Sequence, residues 1–247
     1  MEKLKKKRGS RRMTQRKHLR LLGRQPAIRE TSTDSLSKRV YLALKHDIIT
    51  GVHPAGEALS EKDLAERYSS SRTPVREAAV RLQQDQLLKI IPNRGYFITK
   101  ISVQDLTDLY DYRTAVECAC AELAAMKGMN PALLERLEEL AHTEYRVNDR
   151  ESYENFISKD TDFHLSIAQL ARNHLLFQAV EAARCQMERI MYAAIDIGYY
   201  GEFPGREHRG ILDAIKKRDS HAARQLMYDH IFGSRDKVLK LASGHPR

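Results

Sequence analysis

Residues 71–82 read Ser-Arg-Thr-Pro-Val-Arg-Glu-Ala-Ala-Val-Arg-Leu, and this stretch predicts a short helix with one apolar face and one basic face. Thr73 is a suitable N-cap, and Pro74 at the first helical position already has the backbone angle of a helix. Apolar residues recur at the spacing of one helix face, at Val75, Ala78, Ala79 and Leu82. Arg72, Thr73, Arg76 and Arg81 lie off that face. A helix with a buried back and a basic front is typical of one that lies against a polyanion.

The residues before this stretch predict two further helices and a tight turn. Apolar residues recur every four positions at Leu36, Val40, Leu44 and Ile48. The range 34–50 is therefore expected to be an amphipathic helix that ends at Gly51. Ser60 begins an N-cap signature, which predicts a short helix before the serine turn at 69–71. The order helix, helix, turn, helix is that of a helix-turn-helix.

Two strand-like runs follow the basic helix. Residues 87–91 and 95–99 are separated by Pro-Asn-Arg at 92–94, so they predict a β-hairpin. Three helices and a two-stranded wing make a winged helix-turn-helix, in which the last helix enters the major groove and the wing reaches the backbone or minor groove. The sequence therefore predicts a DNA-binding domain over residues 34–100.

The positive charge of the chain is concentrated at its N-terminus. The net charge is +9, but residues 1–30 hold 12 of the 42 lysines and arginines and only two of the 33 acids. The remaining residues carry 30 basic and 31 acidic side chains, a net charge of −1. Residues 1–33 have the composition of a disordered arm that adds salt-sensitive DNA affinity, or of a solvated tail. DNA binding by the folded part must therefore come from local patches.

Composition also argues against membrane insertion and against disulfide or thiolate-metal chemistry. No run approaches the ~20 apolar residues that span a bilayer, and the N-terminus lacks the apolar segment of a secretory signal. We therefore expect a cytoplasmic protein with no membrane partner. The three cysteines are Cys118, Cys120 and Cys185, and a Cys-x-Cys pair on a helix points its thiols apart. Reduced structural thiols are expected.

The C-terminal half is predicted to be entirely helical. From Ser102 to Leu241 helical periods follow one another, and strand signals are absent. Breaks near residues 128–131, 148–149, 173–174, 201–205 and 218–219 divide this half into six helices. The expected fold class is mainly α, with a winged helix-turn-helix followed by an all-α six-helix bundle over residues 101–242.

The first helix of this half carries charges on its inward face. Arg113 and Glu117 stand four residues apart, in line with Leu106, Tyr110 and Cys120. The two charges can pair with each other along the helix. Alternatively, Arg113 can present its planar fork to the carboxylate of a ligand. The sequence alone leaves both interpretations open.

Later helices of the bundle place a carboxylate and three imidazoles on their inward faces. Asp160 and His164 lie one turn apart on the third helix, His208 on the fifth and His230 on the sixth. A single inward histidine is most often a hydrogen-bonded core residue. Facing bundle helices can also converge such groups on one divalent metal ion, and this donor set suits Zn²⁺, Ni²⁺ or a similar ion with one position open to a ligand oxygen.

The range 36–100 resembles the GntR family of bacterial transcription regulators. The resemblance is carried by Leu-Ser-Glu-Lys-Asp-Leu-Ala at 59–65, Ser-Arg-Thr-Pro-Val-Arg-Glu-Ala at 71–78 and Ile-Pro-Asn-Arg-Gly-Tyr-Phe at 91–97. It implies contacts with operator DNA by Lys62, Arg72, Thr73, Arg76, Arg94 and Gly95. Arginine reads guanine bidentately, while lysine and threonine suit phosphate contacts, so the chemistry agrees. The connector at 54–56, Pro-Ala-Gly, departs from the usual Pro-Gly of the family.

Residues 105–240 resemble the FCD effector domain of the FadR subgroup in the same family. The motif from Asp160 to His164, the segment 207–214 with His208, and His230 match the metal ligands of that domain, while Arg113 matches its ligand-side helix. The resemblance implies a homodimer that binds a palindromic operator and senses a small carboxylate beside a bound divalent metal. In the family, repression relieved by the metabolite is commoner than activation.

Two other functions fit parts of the sequence. A metal-dependent enzyme of small carboxylates would use the metal to activate water, but no separate candidate base accompanies the proposed ligands. A nonspecific nucleic-acid binder would depend on residues 1–33 and would lose its binding without them. The leading hypothesis is a transcriptional regulator, which keeps its sequence preference without that arm.

Overall fold

The computed structural model describes residues 36–127, 130–197 and 205–242. The basic arm predicted at residues 1–33 lies outside these ranges. The N-terminal elements are α1 (Leu36–Ile49), β1 (Ala58–Leu59), α2 (Glu61–Arg67), α3 (Arg72–Gln84), β2 (Leu88–Ile91) and β3 (Gly95–Ile98). The bundle elements are α4 (Val103–Lys127), α5 (Pro131–Ala141), α6 (Arg150–Leu170), α7 (His174–Asp196), α8 (Gly205–Lys216) and α9 (Ser220–Ala242). The predicted fold class, a winged helix-turn-helix followed by a six-helix bundle, is confirmed for the described residues.

The basic helix α3 has the predicted apolar face but begins earlier than predicted. Ser71, with an extended backbone, occupies the N-cap position and makes no side-chain capping bond, so the prediction that Thr73 is the N-cap is wrong. The reason is that Pro74 is tolerated anywhere in the first turn, where backbone N–H groups have no helical partner, and it therefore does not fix the first residue. All four apolar positions of the predicted face are buried.

The N-cap of α2 is confirmed, and the wing has a strand that the sequence did not reveal. Ser60 accepts a hydrogen bond from the backbone N–H of Asp63 at 3.0 Å. The wing sheet has three antiparallel strands in the order β1-β3-β2, with Leu59 opposite Tyr96. The prediction of two strands missed β1 because two residues are too short to show a strand period.

Gly95 at the start of β3 is required by the sheet itself. Its φ is +94°, and a Cβ atom at this position would lie 2.7 Å from the backbone oxygen of Leu59. Residues other than glycine rarely adopt this φ, and the backbone oxygen of β1 cannot move without breaking the ladder. The wing tip therefore needs glycine at this position whatever it contacts.

The two largest of three hydrophobic clusters in the described residues form the cores of the winged helix and the bundle. Beneath the winged helix, the core contains Val40, Leu44, Leu64, Val75, Leu82, Leu88 and Ile98. In the bundle, α4 packs against α6, α7, α8 and α9. The core there contains Tyr110, Ala121, Leu137, Phe163, Ile167, Ile211 and Met227. Because α4 is central, its inward charged residues face the other bundle helices.

Helix α7 connects the bundle to the winged helix. Cys185 packs into the core beneath the winged helix, and Gln186 donates from Nε2 to the backbone oxygen of Asp85 at 2.9 Å. Arg189 donates to the hydroxyl of Thr99 at 2.9 Å and also to the backbone oxygen of that residue. The end of α3 and the end of the wing are thus both bonded to one bundle helix.

The described cysteines agree with the prediction of reduced structural thiols. Cys118, Cys120 and Cys185 are free and buried. Burial raises the pKa of Cys118 to about 11, that of Cys120 to about 12 and that of Cys185 to about 11. Thiols with such pKa values are unreactive at neutral pH. Separately, none of the helices in the described ranges is long and apolar enough to cross a membrane.

Candidate functional site

Three buried histidines converge inside the bundle. His164 lies on α6, His208 on α8 and His230 on α9, and each offers a ring nitrogen within 4.8 Å of those of the other two. The ring of Phe163 stacks on that of His208 with centroids 4.1 Å apart. The helical period placed each histidine on an inward face, and packing of the three helices brings them to one point.

Asp160 lies beside the three histidines. It stands one turn before His164 on α6, and its Oδ1 lies 3.4 Å from Nε2 of His208 and 4.0 Å from Nε2 of His164. Its Oδ2 accepts a hydrogen bond from the guanidinium of Arg184 on α7. One carboxylate oxygen therefore faces the imidazoles, while the other is held by a buried arginine.

Carboxylates approach two of the imidazoles from outside the cluster. Nδ1 of His230 is hydrogen-bonded to Oε2 of Glu207 at 2.7 Å. Nδ1 of His164 lies 2.5 Å from Oε2 of Glu117. A carboxylate at Nδ1 favours a proton on that nitrogen and leaves the lone pair on Nε2 for a metal. This arrangement is typical of histidines that bind metal ions.

Some buried nitrogens of the cluster lack hydrogen bonds. Nε2 of His164 and Nε2 of His208 have no hydrogen-bond partner in the described part of the chain. Nδ1 of His164 and Oε2 of Glu117 are close enough for an ion pair but are not aligned for a hydrogen bond. Buried polar atoms without a partner are costly. A divalent cation between the imidazoles would satisfy both Nε2 atoms, so the residues fit a metal ion.

The protonation states of the cluster also suit a metal. Burial lowers the pKa of His164 to about 4, although Glu117 opposes this shift. Burial lowers the pKa of His208 well below its ordinary value, and His230 adds to the effect. Burial alone would raise the pKa of Asp160, but the charges of Arg184 and the histidines hold it below its ordinary value. Neutral imidazoles and an ionised carboxylate are the forms that bind metals.

Arg113 holds one of these carboxylates in place. Its Nε donates to Oε1 of Glu117 at 2.7 Å, and both side chains are almost fully buried. Burial would raise the pKa of Glu117, but the charges of Arg113 and His164 hold it well below its usual range. The pairing that the sequence left open is thus present, and it forms a chain from Arg113 through Glu117 to His164.

A cavity lies next to the histidine cluster. It encloses about 750 Å³ of empty space, part of it open to solvent. Its wall includes Asp160 and His230 of the cluster and three cationic side chains, Arg113, Arg184 and Lys237. Most of the remaining wall is apolar or aromatic, including Tyr153, Phe156, Met187, Ile190, Met191 and Val238. An apolar lining with a few convergent charged groups is typical of a small-molecule site.

Arg184 was not predicted from the sequence, although a signal was present. Arg184 is almost fully buried and lies on α7 between the buried residues Val180, Ala183 and Met187. A charged residue on the inward face of an amphipathic helix is the same signal that identified Arg113. Its partner, Asp160, could be found only from the packing of α6 against α7.

The residues predicted to contact DNA are exposed or near the surface of the winged helix. Arg72 and Arg76 on α3 are about two-thirds exposed, and Thr73 is also exposed. Lys62 lies on α2, 3.9 Å from Glu66. At the wing tip, the guanidinium of Arg94 lies 5.8 Å from the ring centroid of Phe97, next to Gly95. The structure therefore leaves these positive side chains accessible to a polyanion.

Two protein-family descriptions match the chain over the regions just described. One reads "Bacterial regulatory proteins, gntR family" and matches residues 36–98, and the other reads "FCD domain" and matches residues 108–233. The chain belongs to the GntR family. The two matched regions follow one another in the same order as the winged helix and the helical bundle of this structure.

Curated relatives of this GntR-family chain are regulators. It is 31% identical over 199 residues to the HTH-type transcriptional repressor RspR of Escherichia coli. The matched residues cover 81% of this chain and 87% of that protein. It is 27% identical over 223 residues to the Uxu operon regulator of Haemophilus influenzae. The matched residues cover 83% of this chain and 82% of that protein.

Solved structures show the same fold. A GntR transcriptional regulator from Rhodococcus sp. RHA1 superposes with a TM-score of 0.68 at 26% identity, covering 87% of this chain and 100% of that one. McbR/YncC from E. coli superposes with a TM-score of 0.69 at 22% identity, covering 85% and 99%. The chain is therefore a DNA-binding transcriptional regulator and not an enzyme, and the alternative of a metal-dependent enzyme is set aside.

Proposed function

We propose that this GntR-family protein is a metabolite-responsive repressor that binds a palindromic operator as a homodimer. Residues 34–100 form its DNA-binding domain, and residues 101–242 form the domain that senses a small carboxylate beside a divalent metal ion. It acts in the cytoplasm, where its operator DNA is located. The observation that carries this proposal is the convergence of His164, His208 and His230 next to a cavity whose wall contains His230 and two buried arginines.

The metal is proposed to be Zn²⁺ or Ni²⁺, held by the three histidines and Asp160. Imidazole nitrogens with one carboxylate oxygen suit these ions. When bound, the ion supplies positive charge that attracts an anionic ligand oxygen. Glu117 and Glu207 orient His164 and His230 from the outer side, which fixes the direction of their lone pairs.

The ligand is proposed to be a small carboxylate because of the charges around the cavity. The three cationic side chains in its wall, Arg113, Arg184 and Lys237, outnumber its two carboxylates, Asp160 and Glu207, and a bound metal would add further positive charge. Guanidinium groups recognise carboxylates through paired N–H donors. The apolar remainder of the wall would select the carbon skeleton of the ligand.

Helix α7 provides a direct connection between this cavity and the DNA-binding domain. Arg184 and Met187 line the cavity, whereas Gln186 and Arg189 bond to Asp85 and Thr99 at the ends of α3 and β3. A ligand that binds one position of α7 more tightly than another shifts the equilibrium between the two. The proposed release of DNA follows from such a shift in the arrangement of the DNA-binding domains.

The proposal is tested by screening small carboxylates against the zinc-loaded full chain. A true ligand should raise the melting temperature by mass action, and it should weaken binding to a DNA duplex that the protein selects from a random pool. The same carboxylate should have less effect on the chelator-treated chain. Equal stabilisation with and without metal, or stabilisation with unchanged DNA binding, would contradict the proposed coupling.

A control variant distinguishes binding in the cavity from binding elsewhere. Lys237→Gln removes one positive charge from the cavity wall, and Lys216→Gln removes one from the outer surface of α8, where that lysine pairs with Glu138. The first variant should weaken the response to the carboxylate, while the second should leave it unchanged. An equal loss in both variants would indicate a general charge effect.

A further inference from the structure

Glu61, the first residue of α2, lies beside two of the arginines proposed to contact DNA. Its Oε2 accepts a hydrogen bond from Nε of Arg76 at 2.7 Å, and its Oε1 lies 3.9 Å from Nε of Arg72. The side chain of Glu61 is 23% exposed, whereas those of Arg72 and Arg76 are 67% and 66% exposed. One carboxylate therefore faces two guanidinium groups from the protein side.

The wing also contacts this carboxylate. The hydroxyl of Tyr96 on β3 lies 3.4 Å from Oε2 of Glu61 and can donate to it. Tyr96 is buried and is fixed between Leu59 on β1 and Ile90 on β2. Glu61 is thus the point where α2, α3 and the wing meet, and its own position is held by a rigid part of the sheet.

The contact uses the part of Arg76 that base reading does not need. Its hydrogen bond to Glu61 is made through Nε, and within the described residues its terminal amino groups make none. An unrestrained arginine loses rotamer freedom when it binds a base. A carboxylate at Nε restricts this freedom before DNA arrives and leaves the terminal N–H groups to face guanine.

We propose that Glu61 is a positioning residue that orients Arg76 for reading the operator sequence. This inference rests on the proposed contact of Arg76 with operator DNA. A carboxylate near DNA also repels phosphate groups, so Glu61 lowers affinity for any sequence. Glu61 instead increases the difference in binding free energy between the operator and other sequences, and this difference defines specificity.

The test compares two duplexes and measures the discrimination ratio, which is the dissociation constant of the shuffled duplex divided by that of the selected duplex. One duplex is selected by the wild-type full chain from a random pool, and the other has the same composition in shuffled order. Glu61→Gln should lower the ratio about three- to tenfold, a part of the discrimination that one arginine–guanine contact provides. Affinity for the shuffled duplex should be unchanged or higher because a negative charge is lost.

Glu77→Gln is a matched control. Glu77 is exposed on the same helix as Arg76, and it has no ion pair among the described residues. Its substitution removes the same charge and should change affinity for both duplexes by the same factor. If Glu61→Gln also leaves the ratio unchanged, Glu61 acts only through its charge and the inference is wrong.

A double-variant cycle with Arg76→Ala separates this inference from the proposed DNA contact. Arg76→Ala should lower the ratio, and Glu61→Gln should add much less in that background than in the wild type. An unchanged ratio in Arg76→Ala overturns the proposed contact and the inference together. A lowered ratio in Arg76→Ala, with equal effects of Glu61→Gln in both backgrounds, overturns only the role of Glu61.

A milder variant covers the case in which Glu61→Gln alters folding. Tyr96→Phe removes the hydroxyl that faces Glu61 and keeps the ring in the core. It should lower the ratio in the same direction by a smaller factor, with an unchanged melting temperature. A ratio equal to that of the wild type would show that the wing does not hold Glu61 for base reading.

Discussion

The surface that we propose faces DNA and the buried histidine cluster use opposite arrangements of charge. On α3, Arg72 and Arg76 are about two-thirds exposed and share one carboxylate. In the bundle, Arg113 and Glu117 pair with almost no exposure. Exposed pairs contribute about 0–1 kcal/mol and can exchange partners, whereas breaking a buried pair costs roughly 3–5 kcal/mol. The first arrangement leaves the arginine side chains accessible from solvent, and the second suits a site that must keep its geometry.

The largest effect should follow removal of two proposed metal ligands. We expect the double variant with His208→Ala and His230→Ala to lose zinc that the wild type retains through dialysis, because two of the converging nitrogens are absent. The loss in affinity should exceed the roughly 10–100-fold that removal of an outer partner causes. Elemental analysis of the dialysed proteins measures this directly.

Two single variants provide an intermediate case and a control for this loss of zinc. Glu207→Gln alters only the carboxylate next to Nδ1 of His230 and should weaken zinc binding about 10–100-fold. His221→Ala, at an exposed position of α9, should retain zinc as the wild type does. Full stoichiometric zinc in the double histidine variant would refute the ligand assignment.

The next effect concerns the stability of the buried pair. Arg113→Ala leaves the carboxylate of Glu117 buried beside His164 without its guanidinium partner. We expect a loss of about 3–5 kcal/mol in the free energy of unfolding, measured with urea on metal-free protein. Arg224→Ala breaks a more exposed pair with Glu122 and should cost at most about 1 kcal/mol. If both variants lose the same free energy of unfolding, the buried pair contributes no more stability than the exposed pair and the prediction is wrong.

A smaller effect is expected on the DNA side. Arg72→Ala should reduce discrimination between the selected and shuffled duplexes by about 1–3 kcal/mol, because a base contact is lost. Arg81 lies on the same helix, but its guanidinium stacks 4.0 Å from the ring centroid of Tyr41. Arg81→Ala should leave discrimination unchanged. If Arg72→Ala keeps the base preference of the wild type, the proposed contact of Arg72 with a base is wrong.

The smallest effect is expected where α7 meets the winged helix. Gln186→Ala removes the hydrogen bond to the backbone oxygen of Asp85 and should cost about 0.5–1.5 kcal/mol of stability. The response of DNA binding to the carboxylate should also decrease, because one connection to α3 is missing. Gln169→Ala, at an exposed position of α6, should affect neither quantity. A normal response in Gln186→Ala would argue that this bond does not take part in signalling.

The sequence predicted most elements because their patterns are local. The apolar period of α3 and the serine cap of α2 are read from a few consecutive residues, and both appear in the structure. The first residue of α3 was misjudged because several positions in a first turn accept proline. Strand β1 was missed because its two residues carry no period of their own.

The candidate sites were only partly predictable because they depend on packing. Helical spacing placed His164, His208 and His230 inward, but their convergence requires the positions of three helices. The partners Arg184 and Glu61 were not predicted, since each contacts a residue on another element. A sequence pattern gives the face on which a side chain lies, whereas the identity of its partner is a property of the assembled fold.

The cysteine at the junction between α7 and the winged helix provides a built-in reporter. The thiol of Cys185 is covered by the winged-helix core, and its pKa of about 11 keeps it protonated. Its alkylation therefore requires the junction to open, so the alkylation rate follows how often the winged helix separates from α7. Cys118 and Cys120 on α4 serve as internal references, because their alkylation requires opening of the bundle instead. Peptide mass spectrometry of the three alkylated sites can thus measure how often the winged helix separates from α7 in the native chain, without an introduced cysteine or fluorophore.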